Sequence, residues 1–174
     1  MRQSRCSSAN IEQVGAGTVR VVVANNTEFP LNPFGETSTI VSPDATVLAS
    51  PQLIPPSSQT GKAGAFQTKP NPSHPLLAIS VYETPDPSKV LIFLVVYSPD
   101  GNNNIAKSGF YDKSNTTVNA ALLKHASENP HLSPTNKFDY IDDNQNQRTL
   151  TVTGSISSGL LVKAGFKITS KASA

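Results

Sequence analysis

Tryptophan is absent from the 174 residues, and tyrosine occurs only 4 times. Those two side chains favour the membrane–water interface, so little remains from which to build an aromatic belt. A single cysteine, Cys6, rules out an internal disulfide. Charged residues make up 15% of the chain, well below the usual quarter. The polar surface must therefore come from Ser, Thr, Asn and Gln. A net charge of +2 without dense Lys/Arg clusters argues against nucleic acid, whose phosphates demand such clusters. No apolar run reaches the roughly 18 residues of a membrane-spanning helix. The opening "MRQSRCSSANIEQ" lacks the apolar core of a signal peptide. The expectation is a soluble protein, either cytosolic or released without a recognisable signal peptide.

Catalytic patterns are also missing. His74, His125 and His131 have no metal-binding spacing to one another or to Cys, Asp or Glu. "GSISSG" at Gly154 has the wrong spacing for a nucleophile elbow. Cys6 lies in an irregular segment where nothing would hold a base against it. "SQTGKAG" lacks the first glycine and the Ser/Thr of a phosphate loop. The aspartates fall mostly in turns, where they serve the backbone. The sequence predicts no enzyme, no metal and no cofactor.

What is present is β structure. Gly 10 and Pro 14 punctuate the chain into short segments. "TVRVVVANNT" reads as a strand and turn, and "STIVSPDATVLAS" as strand, turn and strand. "LLAISVYET" and "KVLIFLVVYS" flank "PDPS" as a hairpin of two strands, each apolar on both faces and so central in a sheet. "PDGNNN" is a tight turn with Gly101 placed for positive φ. "SNTTVNAALLKHASEN" has helical spacing at Val118, Ala121, Leu122 and His125, with Thr116 or Thr117 as N-cap candidates and Pro130 beyond the end. "RTLTVTGSI" and "LLVKAGFKITS" return to strands. The fold class is mainly β: an antiparallel β-sandwich with one flanking helix over about residues 116–128. Residues 1–17 read as a flexible tail and 18–174 as one domain. Lys163, Lys167 and Lys171 sit at even offsets and share one strand face. They read as a solvated face or, alternatively, as contacts to an anionic membrane surface.

From Thr18 onward this order of features resembles the actinoporins, the sea-anemone cytolysins, and their relatives. "VRVVVANNTEFPL" is similar to the family's first core strand. "LLAISVYETPDPSKVLIFLVVYSPDGN" resembles its central hairpin. "FYDKSNTTVNAALLKHASENP" is similar to the strand and helix that follow, and "SGLLVKAGFKITSKA" to the closing strand. The resemblance implies a membrane-lipid-binding protein and, on the family's pattern, a pore-forming cytolysin, a haemolytic toxin that oligomerises on the membrane of target cells. Its partner would be a phosphocholine or sphingomyelin headgroup. The implied headgroup residues are Tyr97, Ser98, Pro99 and Asp100 in the loop, with Tyr111 and Leu123 nearby. Three departures accompany the resemblance. The loop has lost the family's aromatic cluster. Leu122 and Leu123 stand where the family places tyrosines, which leaves a cation-binding aromatic cage incomplete. Residues 1–18 carry Gly15 and Gly17 and form a weak amphipathic segment.

Two other readings belong to different classes. A lectin-like module would use the Asn-rich loop to hydrogen-bond a glycan or a protein. A structural coat-type β-sandwich subunit would explain the polar N-terminal arm.

Overall fold

The computed structural model describes residues 15–101 and 103–173. The apolar alternation of the first segment becomes β1 (Thr18–Asn26), which turns Val19, Val21 and Val23 inward and leaves Arg20 exposed. There follow β2 (Thr39–Val41), β3 (Thr46–Ala49), β4 (Gln59–Gln67), β5 (Leu76–Glu83), β6 (Lys89–Tyr97) and β7 (Ile105–Asp112). A 3-10 turn (Lys113–Asn115) leads to helix α1 (Ala120–Glu128), and β8 (Thr135–Ile141), β9 (Gln147–Ile156) and β10 (Leu161–Ala172) complete the chain.

These strands form two sheets. One has six strands in the order β3-β4-β1-β10-β9-β8, and the other four in the order β2-β5-β6-β7. β5 and β6 pair from Leu76↔Tyr97 to Glu83↔Val90, the hairpin read from the sequence. Both strands are buried on two faces. Leu91, Phe93, Val95 and Tyr97 meet the six-stranded sheet through Val21, Phe66, Phe166 and Ile168. Val90, Ile92 and Leu94 point the other way and pack with Leu122, Leu123 and Ala126 of the helix. The molecule is therefore layered as sheet, sheet and helix. Each layer buries the apolar stripe its sequence period created.

Four details differ from the sequence reading. β1 and β10 pair in parallel, Thr18↔Leu161 through Asn26↔Thr169, so the sandwich is not wholly antiparallel. The helix is capped by Asn119, whose side chain accepts from Leu122 N at 2.9 Å. Thr116 is instead turned back, its hydroxyl donating to Asp112 O at 2.7 Å. β8, "TNKFDYI", went unread because its alternation is mostly polar, with Phe138 and Tyr140 as its inward anchors. The assignment of residues 1–17 to a tail lies outside the described residues up to 14. Gly17, however, is fixed: Thr68 N donates to its carbonyl at 2.9 Å, and its own N–H donates to Thr68 Oγ1 at 2.9 Å.

Candidate functional site

At one end of the sandwich four segments converge: the β1 entry, residues 68–75, the β6–β7 turn and the β9–β10 hairpin tip. Tyr97, the last residue of β6, organises them. Its ring is fully buried, and its hydroxyl donates to Gly159 O at 2.6 Å. A side chain at position 17 would collide with that ring, so only glycine lets the β1 entry pass. Burial raises the Tyr97 pKa above the usual tyrosine value.

The β6–β7 turn closes when Gly101 N donates to Ser98 O at 2.9 Å. Gly101 has φ +83°, the positive φ that the turn chemistry predicts. Asn104 then ties two loops together. Its Oδ1 accepts from Ser98 N at 2.9 Å and its Nδ2 donates to Ser157 O at 3.0 Å. The Asn104 amide thus has a structural task, which removes it from the set available to a glycan.

Next to this locked turn, the hairpin tip presents Leu160 at 47% and Leu161 at 84% exposure. Gly159, with φ +118°, makes the reversal that pushes them outward. On the other side of the turn lies an open depression of ≈ 480 Å³. Its polar lining includes Ser98, Asp100, Ser73 and His74, and its apolar lining Val96 and Ile105. A carboxylate, two hydroxyls and an imidazole lie on one side of the turn and the exposed leucines on the other, so this end of the sandwich offers polar contacts for a zwitterionic headgroup and apolar ones for an acyl boundary.

The six residues singled out from the sequence do not form one cage. Ser98 and Asp100 line the depression. Pro99 is buried, and Tyr97 supports the turn from below. Tyr111 lies elsewhere. It stands opposite Val90, seven residues along β6 from Tyr97, roughly 24 Å away at strand rise. It also faces the helix, on the opposite side of the sheet. Its hydroxyl bonds His125 Nδ1 at 2.8 Å and accepts from Asn129 Nδ2 at 3.0 Å. Desolvation raises its pKa, against the lowering effect of the Asn129 bond. Leu123 is 5% exposed within the helix–sheet core. Tyr111 and Leu123 belong to the packing of the helix, because an amphipathic helix must bury its apolar stripe before anything else.

Leu160 and Leu161 were not singled out from the sequence, where they read as the start of a strand. The available signal was an apolar pair directly after a Ser-Ser-Gly turn. No helix among the described residues is long and apolar enough to cross a membrane. None of them cluster as three or more His, Cys, Asp or Glu around a metal position.

No protein-family model matches the chain, and no curated protein matches it. Among solved structures it is similar to the lipid-binding protein Nakanori, with TM-score 0.53 and 13% identity over 97% of this chain and 79% of that one. It is also similar to the wild-type Xerocomus chrysenteron lectin XCL, with TM-score 0.44 and 7% identity over 88% of this chain and 99% of that one. At such identity the likeness to Nakanori is one of fold.

Proposed function

We propose that this protein binds membrane lipid through the end of the sandwich that carries the 98–104 turn and the 157–161 hairpin tip. The observation that carries the proposal is the pair Leu160 and Leu161, exposed on a tip whose neighbours are held rigid by Tyr97 and Asn104. A fixed, outward apolar pair is costly in water and gains when it enters an acyl boundary. The fold shared with a lipid-binding protein and the actinoporin-like order of elements support the same reading. In this reading the headgroup is phosphocholine, as in sphingomyelin. Its quaternary ammonium lies toward the Asp100 carboxylate and its phosphate toward Ser98, Ser73 and His74. The protein acts as a binder and not as an enzyme.

The test is co-sedimentation with phosphatidylcholine vesicles, with and without sphingomyelin, with dye release read in the same tubes. Binding that sphingomyelin enhances, and that Leu160→Ser/Leu161→Ser reduces by roughly tenfold or more, supports the proposal. Binding unaffected by those substitutions, or no binding to either vesicle, refutes it. Dye release distinguishes recognition alone from perforation by an oligomer.

A further inference from the structure

The outer face of the six-stranded sheet carries a charge pattern that the sequence spreads over four segments. Lys163, Lys167 and Lys171 are exposed along β10. The parallel register places Arg20 of β1 beside Lys163. On the next strand Lys62 of β4 stands opposite Val22, and on the far edge Lys137 of β8 stands opposite Thr151. All six cations are exposed. They share the outward parity, because Val19, Val21, Ala164, Phe166 and Ile168 between them are buried. Asp139 supplies the carboxylate on the strands of this face. The ion pairs Lys69–Asp44, Lys89–Asp112 and Lys113–Glu83 all lie elsewhere. Since the whole chain carries a net charge of only +2, the rest of the molecule is acidic on balance. The charge is segregated by the fold.

Ser and Thr fill the positions between the cations: Thr149, Thr151, Thr153 and Ser155 on β9, and Thr169 on β10. No aromatic side chain stands among these outward positions, so bases of a nucleic acid would find nothing to stack on. Lys163 to Lys171 spans eight residues, about 27 Å at strand rise. Leu161 begins the same outward row, two residues from Lys163. The exposed leucine and the nearest cations therefore belong to one continuous surface.

We propose that the tip end of this face meets an anionic lipid bilayer, with Arg20 and Lys163 at acidic headgroups and Leu161 entering the boundary beside them, while the sheet tilts away toward Lys171. The inference rests on the lipid reading of the hairpin tip and adds a second lipid class to it. Lysine and arginine stems extend along apolar surface and keep their charges among headgroups. Cations near an anionic leaflet each add to binding and are screened beyond a Debye length of about 10 Å at 0.1 M salt. Contribution should then decline along β10 from Lys163 to Lys171 as the sheet rises from the bilayer.

The experiment is co-sedimentation of the full chain with phosphatidylcholine vesicles, with and without a minority of phosphatidylserine, at low and high salt. Phosphatidylserine is expected to raise binding by roughly tenfold at low salt, and high salt to erase the gain. Arg20→Gln/Lys163→Gln removes most of that gain. Lys107→Gln/Lys124→Gln, the same charge change on the helix side, leaves it intact. Lys171→Gln alone has a smaller effect than Lys163→Gln alone, and thermal melts confirm that each variant folds. The inference is overturned if phosphatidylserine adds nothing, or if the two pairs behave alike. It is also overturned if Lys171→Gln matches Lys163→Gln while soluble heparin displaces the protein, since a linear polyanion along β10 would then be the ligand. Binding to sphingomyelin vesicles that ignores phosphatidylserine sinks this inference and leaves the lipid reading standing. Absence of binding to every vesicle sinks both.

Discussion

Tyr97 supports the proposed site from beneath, through its hydroxyl and its buried ring. Its hydroxyl holds Gly159, and Gly159 aims Leu160 and Leu161 outward. Tyr97→Phe should lower unfolding stability by about 1 kcal/mol, the net worth of one hydrogen bond. It should also weaken vesicle binding more than that loss of stability explains, because the tip loses its anchor. Denaturant titration and co-sedimentation of the same variant check both. The tyrosines also set an alkaline limit. Tyr82 donates to Gln52 O at 2.7 Å from a fully buried ring, and desolvation raises its pKa strongly, against a lowering by that bond. Tyr97 and Tyr111 shift the same way. A raised pKa in the folded state means that the unfolded chain releases these protons first. The stability they contribute is complete below the ordinary tyrosine value of about 10 and is lost as pH rises past it. Thermal melts from neutral to alkaline pH should show the midpoint falling only above that value, and Tyr82→Phe should make the fall shallower.

Among the elements, the helix and the closing strand carry different lessons. Asn119 caps a helix of nine residues, too short to persist alone. Asn119→Ala should cost about 1 kcal/mol in denaturant titration, while Thr117→Ala, at an exposed position outside the cap, should cost little. Threonines were the better-looking caps in sequence because "NTT" precedes the apolar run. The choice fell to Asn119 because Thr116 Oγ1 is committed to Asp112 O. Strands with strong apolar patterns, β1, β5, β6 and β10, were legible from period alone. β8 was not, since its burial comes from aromatic contacts that form across the sandwich, Phe110 stacking on Phe138 at 4.8 Å and Phe29 edge-on to Tyr140 at 6.2 Å. The short segments β2 and β3 were found, but they join different sheets, a partition that no local pattern encodes.

For the molecule as a whole, the proposed lipid-binding surface is a corner where an end loop, a hairpin tip and a sheet face meet. Leu160→Ser/Leu161→Ser should reduce vesicle binding by tenfold or more, because each buried leucine is worth about 1.5–3 kcal/mol of transfer free energy. The melting temperature should barely move, since both side chains are exposed in the free protein. Of the proposed site, the sequence makes the turn legible, and Ser98 and Asp100 of that turn line the depression. Tyr111 and Leu123 were drawn in by the order of elements, but they serve the opposite face of the four-stranded sheet. Composition and period in the sequence determined a β-sandwich with one late helix, a doubly buried central hairpin and a positive-φ turn at Gly101, because apolar periodicity and glycine chemistry are local. Tertiary structure alone decided the parallel join of β1 to β10, the exposure of Leu160 and Leu161, and the gathering of Arg20, Lys62, Lys137 and the β10 lysines on one face. These depend on which strands become neighbours, and that is set by packing between segments far apart in the chain.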